Sequence, residues 1–216
     1  MGRVSTTRAH ALRLTQLGIG LFLYGAAIAL MVRAAVGVSS WSVLTQGLEN
    51  VLPLSFGALT VLTSFVVLLL WFPLRQRPGL GTLLNVLVIG PASDLVLALV
   101  PEPDALAAKV LLFAVSLVLL AVATACYIGA GYGTGPRDGL MVGLVERFGW
   151  PVWKARTVVE VSVVAVGAVL GGDLGIGTLV ATFAIGPLMH PMMPVFARFP
   201  WIPRAPEPER ILDRIG

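Results

Sequence analysis

The order of hydrophobic and polar positions predicts a helical membrane protein. Six apolar runs recur along the chain, each about 20 residues long, which is enough to cross about 30 Å of hydrocarbon as a helix. They cover residues 15–35, 55–74, 80–100, 107–129, 152–170 and 174–196. No run alternates as a barrel strand does, and a segment in lipid must satisfy its own backbone hydrogen bonds. We therefore expect each run to be a helix.

The composition agrees with this pattern. Of the 216 residues, 57% are hydrophobic and 12% are charged, about half the charged share of a soluble domain. Cys126 is the single cysteine, which excludes a disulfide framework and a cysteine-rich metal site. The formal net charge of +4 comes from loops and tails and does not indicate nucleic-acid binding. The first run follows basic residues as a signal peptide would, but its length and its later counterpart favour a retained helix.

The sequence repeats itself at an offset of 96 residues. Residues 12–100 align with 108–196 without a gap, and seven of the thirteen positions in 79–91 are identical to their counterparts. Each half holds three long runs and one short segment, at 39–52 and 135–148. At 1.5 Å per residue, such a short helix is about 21 Å long, too short to span a bilayer comfortably.

Three crossings per half place the two halves in opposite orientations. With the N-terminus in the cytoplasm, thirteen of the fifteen Lys and Arg residues lie inside, and only Arg33 and Lys109 lie outside. This distribution follows the positive-inside rule. Arg77 in one loop corresponds to Asp173 in the equivalent loop of the other half. If the short segments also crossed the membrane, the repeats would be parallel, which this charge pattern disfavours.

We therefore predict an all-α membrane protein with six transmembrane helices in two inverted-topology three-helix repeats, each with one short re-entrant or interfacial helix. Both termini are expected in the cytoplasm. The predicted order is a cytoplasmic tail at 1–11, a first membrane repeat at 12–100, an outer loop at 101–107, a second membrane repeat at 108–196 and a cytoplasmic tail at 197–216.

The entries to the two short segments are the candidate solute-binding site. In the second half, alternating glycines permit close backbone approach, and a proline suits the first helical turn. A helix beginning there aims free N–H groups at the loop, and such an end attracts anions. The first-half counterpart is polar but uncharged. The predicted binding residues are Gly133, Gly135, Pro136, Arg137, Asp138, Ser39, Ser40, Trp41 and Ser42. The alternative is a plain cytoplasmic loop in which the arginine and the aspartate pair with each other or with water.

Paired helix breaks are a second feature of both halves. Gly90-Pro91 and Gly186-Pro187 are predicted breaks, because proline lacks an N–H group and clashes with the carbonyl four residues before it. Inverted repeats with such paired interruptions are typical of secondary transporters. The alternative is a kink that only helps the helices to pack.

Three of the ionisable side chains within the predicted spans are candidates for a role in function or in helix stability. Glu160 lies about 12 Å along its helix from the inner end, and a carboxylate at that depth should face the bundle interior or a wet cavity. It is therefore the candidate for proton or cation coupling, and an i, i+4 pair with Arg156 is the alternative. Asp94 and His190 occupy equivalent positions near helix ends, which we expect them to stabilise.

Three sequence motifs resemble those of a known family. They are Gly-Thr-Gly-Pro-Arg-Asp-Gly-Leu at 133–140, Arg-Pro-Gly-Leu-Gly-Thr-Leu-Leu-Asn at 77–85, and Gly-x-Gly-Thr…Ile-Gly-Pro at 175–187. With them, residues 12–196 resemble the YczE/YyaS/YitT group of bacterial integral membrane proteins. The resemblance implies a multi-pass protein of the bacterial plasma (inner) membrane and implies no particular substrate.

The chain departs from this group in its first half. Relatives tend to carry Gly-x-Gly-Pro-Trp-Asp there, whereas this chain keeps Gly37 and Trp41 but has Ser40 for the proline and Ser42 for the aspartate. Two equivalent acidic entry loops are therefore not expected.

These observations favour a small secondary transporter or permease for an unidentified small solute. Sequence signatures of metalloproteases, hydrolases and P-loop enzymes are missing, and two histidines are too few for a His-based metal centre. We expect no enzyme activity, no metal, no cofactor and no nucleic-acid partner. The alternative is a membrane accessory or regulatory protein that binds a partner without transport, and a channel is a third reading. The expected surroundings are the lipid bilayer, and a homodimer is compatible with each reading.

Overall fold

The computed structural model of the chain describes residues 6–197, and this range is helical with no strand. The remaining parts of the two predicted tails lie outside the described residues. The helices are α1 (Thr6–Ala34), α2 (Ser40–Glu49), α3 (Phe56–Leu74), α4 (Leu80–Leu99), α5 (Leu106–Gly129), α6 (Pro136–Phe148), α7 (Val152–Val169), α8 (Ile176–Met189) and α9 (Met193–Ala197).

Four of these helices are long and apolar enough to cross a membrane: α1, α3, α4 and α5. Helix α7 has 18 residues but carries Lys154, Arg156 and Glu160. Helix α8 is apolar but only 14 residues long. The predicted helix over 174–196 is divided after Met189 and not at the predicted break Gly186-Pro187, because a turn separates α8 from α9. Pro191 lies in that turn and lacks the N–H group that would continue the helical ladder.

The starts of the helices reproduce the 96-residue offset of the sequence. Helices α2, α3 and α4 begin 96 residues before α6, α7 and α8, respectively. The start of α4 and the start of α8 are also built alike. The N–H of Gly79 donates to Thr82 Oγ1 at 3.2 Å, and the N–H of Gly175 donates to Thr178 Oγ1 at 3.4 Å. The threonine hydroxyl thus satisfies one of the backbone donors that a helix start leaves unpaired.

The helices of the two halves interlock. Helix α1 packs against α5 and α4, and α5 packs against α8. Helix α2 packs against α7, and α6 packs against α3. Each short helix therefore lies against a long helix of the other half. The two halves differ in one of these contacts. Helix α3 packs along α4, whereas their counterparts α7 and α8 make little contact with each other.

Each loop that precedes a short helix is joined to the other half of the chain by backbone hydrogen bonding. We call these two contacts the first and the second clasp. In the first clasp, the loop 130–135 meets the start of α4, where the N–H of Gly81 donates to the carbonyl oxygen of Tyr132 at 2.8 Å. In the second clasp, the loop 35–39 meets the start of α8, where the N–H of Gly177 donates to the carbonyl oxygen of Val36 at 3.1 Å. The donors and the acceptors of the two clasps are each 96 residues apart, so the clasps are equivalent contacts.

The predicted break at Gly90-Pro91 is wrong, because α4 continues through both residues to Leu99. Gly90 has a packing role instead: a Cβ atom there would lie 2.4 Å from the carbonyl oxygen of Gly57 in α3. Helix α8 likewise includes Pro187 and ends two residues later.

Asp94 stabilises the start of α3, as its position near a helix end predicts. Its Oδ1 atom accepts from the N–H of Gly57 at 2.7 Å, and its Oδ2 atom accepts from the Ser55 hydroxyl at 2.5 Å. Ser55 itself caps the helix by accepting from the N–H of Ala58. A carboxylate at this end also interacts favourably with the helix dipole.

Candidate functional site

A small polar cavity lies where α6 begins, enclosed by α1, α3, α4 and α5. About 30 Å³ of it is open to the centres of water molecules, room for about two waters. The lining side chains are polar for the most part, and several come from the middle of long helices. They belong to Tyr24, Thr60, Ser64, Asn85, Ile89, Tyr127, Pro136, Arg137 and Asp138, with Gly135 completing the wall.

The glycine-rich loop brings the start of α6 to this cavity. Gly131 and Gly133 have φ values of 77° and 113°, which favour glycine. Gly135 then precedes the helix, and a Cβ atom there would lie 3.0 Å from Asn85 Nδ2 and 3.2 Å from the Tyr127 hydroxyl. The lack of a side chain at position 135 therefore lets the helix start lie against α4 and α5.

Asp138 lies in the first turn of α6 and faces Tyr127 of α5. The Tyr127 hydroxyl donates to Asp138 Oδ2 at 2.9 Å and accepts a hydrogen bond from the backbone of Gly135. Asp138 also interacts electrostatically with Arg156, Arg137 and Glu160. No ion pair joins these charges, and within residues 8–197 the structure has one ion pair, Lys109 with Glu102. The sequence-based alternatives of an Arg137–Asp138 pair and an Arg156–Glu160 pair are therefore not observed.

Arg137 contacts the start of the other short helix. Its guanidinium carbon lies 4.9 Å from the ring centroid of Trp41, which is a cation–π contact. It also hydrogen-bonds to Tyr24 of α1. Trp41 and Arg137 are 96 residues apart, so the equivalent first turns of α2 and α6 meet each other.

The short helices meet at their starts and then diverge. Trp41 belongs to the same buried apolar cluster as Val67 and Val159, which lie near the middle of α3 and α7. At its far end, α2 is followed by Asn50, whose amide donates to the carbonyl oxygen of Gly171 at 3.0 Å. The far end of α6 lies near the α3–α4 loop, where the Gln76 amide donates to Glu146 at 2.8 Å.

The three predicted serines make other contacts. Ser39 caps α2 by accepting from the N–H of Ser42 at 3.4 Å, and the two hydroxyls are 2.8 Å apart. The Ser40 hydroxyl lies 3.4 Å from the hydroxyl oxygen of Thr182 in α8. The structure thus places Trp41 beside Arg137 but places none of these serines in the lining of the cavity.

Glu160 also lies outside the cavity lining. It is half-buried on α7 and is near enough to interact electrostatically with Asp138 and Tyr24. Its predicted coupling role stays a prediction. The predicted site residues did not include six residues of the cavity: Tyr24, Thr60, Ser64, Asn85, Ile89 and Tyr127. The offset gives a signal for two of them, because Thr60 and Ser64 precede Arg156 and Glu160 by 96 residues.

Two side chains in the cavity have no hydrogen-bond partner among the described residues. Asn85 and Ser64 are each 7% exposed, and no hydrogen bond joins either side chain to another described residue. A buried amide or hydroxyl without a partner is destabilising by about 1–3 kcal/mol. These two groups are therefore available to a small polar molecule inside the cavity.

Comparison with known proteins places the chain in a family. Residues 11–194 match DUF6198, a family of unknown function. The chain belongs to this family. An uncharacterized protein of Haemophilus influenzae is 36% identical over 183 residues, which is 85% of this chain and 84% of the relative.

Two relatives in Bacillus subtilis confirm the resemblance to the YczE and YyaS group. The uncharacterized membrane protein YczE is 27% identical over 185 residues, 85% of this chain and 86% of the relative. The uncharacterized protein YyaS is 29% identical over 185 residues, 84% of this chain and 92% of the relative. No solved structure has significant similarity to the chain. Together with its apolar helices, the family membership identifies a multi-pass membrane protein.

Proposed function

We propose that the protein is a small secondary transporter of a polar solute in the bacterial plasma membrane. The observation that carries the proposal is the cavity at the start of α6, in which Asn85 and Ser64 are buried without partners. A group of this kind is stabilised when a solute or water supplies the missing hydrogen bond. Side chains that serve only helix packing would gain nothing from remaining unpaired.

In this proposal the chain crosses the membrane six times, as two inverted repeats with both termini in the cytoplasm. Helix α7 supplies one of the two crossings that length and composition alone do not assign, and α8 followed by α9 supplies the other. The charges of α7 are tolerable because two of them, Arg156 and Glu160, are half-buried and lie within electrostatic range of Asp138. The 96-residue correspondence of helix starts and clasps supports two related halves.

The short helices α2 and α6 are re-entrant in this proposal. Their starts meet at Arg137 and the buried Trp41, and their ends diverge. Half-helices that begin near the midplane aim unpaired N–H groups at the centre, where transporters of this architecture bind solutes. The cavity holds only about two waters, so it must widen to admit a larger solute.

The inverted orientation predicts opposite accessibility of two equivalent loops. Arg77→Cys and Asp173→Cys, each in a Cys126→Ala background, replace exposed residues 96 positions apart. We expect a membrane-impermeant maleimide to label position 173 in intact cells and position 77 only after permeabilisation. Labelling of both positions from the same side would contradict the inverted topology.

Transport itself predicts a solute that both binds and crosses. Purified protein is screened by thermal shift against a panel of small metabolites, and compounds that raise the melting temperature are then tested by counterflow in proteoliposomes. We expect Asn85→Ala to lose the thermal response, because it removes an amide from the cavity. The matched control is Asn50→Ala, which removes an exposed amide on the far side of α2. If compounds bind but never accumulate in vesicles, the binding or accessory reading replaces transport.

A further inference from the structure

We propose that Asp138 takes up and releases a proton during the transport cycle, exchanging it with water in the cavity; this inference rests on the proposed transport function. In the uptake step, a protonated water gives its proton to a carboxylate oxygen, an O–H bond forms on Asp138 and neutral water remains. Release reverses the same step. No oxidant, metal or further reactant takes part.

The geometry of Asp138 suits this role. Within the described residues it is the carboxylate that lines the cavity. Its Oδ2 atom is held by the Tyr127 hydroxyl at 2.9 Å. Its Oδ1 atom has no hydrogen-bond partner in the described part of the protein. One oxygen therefore fixes the orientation of the carboxylate, and the other can accept a proton.

The cavity also provides for the water. A buried water needs about 10–15 Å³ of volume for its centre and two to four polar partners, and the cavity has about 30 Å³. The unpartnered Asn85 and Ser64 side chains supply donors and acceptors on the walls formed by α4 and α3. A water that bonds to them completes the hydrogen bonds of the cavity and faces the start of α6.

The charges that face Asp138 leave its protonation free to change. Arg137 lies next to it on α6, and Arg156 and Glu160 interact with it from α7. The other titratable neighbours are the phenols of α5 and α1, while α3 and α4 contribute only neutral polar groups to the cavity. Two positive and two negative side chains thus balance when Asp138 is ionised. Since neither arginine forms an ion pair with Asp138, the Tyr127 hydrogen bond is the direct contact within the described residues that favours the ionised form.

The experiment applies pH steps to proteoliposomes adsorbed on a solid-supported membrane, with the proton as the probe. The full-length wild-type protein should give a transient charge displacement that protein-free liposomes lack. Asp138→Asn should reduce the signal to that of protein-free liposomes. Glu146→Gln, an exposed control carboxylate on the same helix, should retain it.

A second variant separates proton binding from a fault in folding. Tyr127→Phe removes the hydrogen bond to Asp138 Oδ2 but leaves the carboxylate in place. Because that bond favours the ionised form, its loss should move the midpoint of the pH response upward by about one pH unit. Each variant is checked by gel filtration and by its melting temperature before the signal is compared.

Three outcomes would overturn the inference. Asp138→Asn with a wild-type signal removes Asp138 from proton exchange, and loss of the signal in Glu160→Gln alone assigns the role to Glu160. A wild-type protein without any signal excludes proton exchange in this cavity. None of these outcomes decides the proposed function, because counterflow of a bound solute proceeds without a proton gradient. Conversely, a pH signal without counterflow of any bound solute would contradict the proposed transport function but would still support proton binding at Asp138.

Discussion

Gly139→Val should prevent the protein from folding stably in the membrane. A Cβ atom at position 139 would lie 1.9 Å from Cζ2 of Trp71, whose ring is buried and whose Nε1–H donates to the carbonyl oxygen of Pro136 at 3.0 Å. Inserting even small groups into a packed core is destabilising by about 1–3 kcal/mol. An overlap with a fixed indole should exceed that range, and the measurement is the yield and melting temperature of purified protein.

The repeat supplies a matched rescue for this variant. The positions equivalent to Trp71 and Gly139 are Gly167 and Val43, and a Cβ atom on Gly167 would lie 2.6 Å from the carbonyl carbon of Val43. The large and the small residue thus exchange places between two equivalent contacts. The double variant Trp71→Gly with Gly139→Val copies the residue pair of the second contact into the first. We expect the double variant to lose about 1–3 kcal/mol less stability than the sum of the losses of the two single variants.

Two controls test this account. Gly186→Ala lies in a helix with nothing within 4 Å of the added atom, so its melting temperature should stay close to that of the wild type. If Gly139→Val were as stable as Gly186→Ala, the close packing of α6 on α3 would be incorrect. Strict additivity in the double variant would mean that the two contacts are not interchangeable.

Gly37→Ala should be destabilising by more than Gly133→Ala, although the two glycines hold equivalent positions. Both have a positive φ, 151° for Gly37 and 113° for Gly133, and such backbone strain is worth about 1–3 kcal/mol. At Gly37 the added Cβ would also lie 2.4 Å from the backbone nitrogen of Thr178, whereas at Gly133 the nearest atom is the Thr82 hydroxyl at 3.2 Å. A hydroxyl can shift, but the backbone at the start of α8 cannot.

Melting temperatures in one detergent would rank these variants. Gly18→Ala is the reference, since its Cβ has open space, and alanine has the higher helix propensity. We expect the order Gly18→Ala, Gly133→Ala, Gly37→Ala from the most to the least stable. An equal loss for Gly37 and Gly133 would indicate that backbone strain alone matters and that the second clasp is looser than described.

The sequence predicted the helical elements well because a chain in lipid must form all its backbone hydrogen bonds internally, and few structures other than a helix allow this. Apolar length located most helices to within a residue or two, and the glycine, threonine and proline positions of the repeat located the helix starts. The prediction from sequence was wrong at Gly90-Pro91. The proline there was taken to break the helix, but α4 continues, and Gly90 instead allows α4 to approach α3 closely. The prediction failed again after α8, where proline ended the helix a few residues later than the predicted pair.

The candidate site was predictable only in part. Arg137 and Asp138 stand out because charges are rare in apolar surroundings, and the structure brings Trp41 to Arg137. Tyr127, Asn85 and Ser64 carry no comparable signal, since tyrosine, asparagine and serine occur in many helices as packing residues. Their role depends on which faces of α5, α4 and α3 meet at the start of α6, and neither spacing nor composition encodes that.

The interlocked halves have a consequence for how the protein is made. Val38 donates its N–H to the hydroxyl of Thr178, a partner 140 residues later in the chain. At about 5–20 residues per second, the ribosome needs roughly seven to thirty seconds to supply that partner. During this interval α2 and the loop before it lack their final contacts with the second half. Their polar backbone groups are then exposed to proteases and chaperones. The first half on its own should therefore be a short-lived species in the cell, and the two halves should assemble only when the second has left the ribosome.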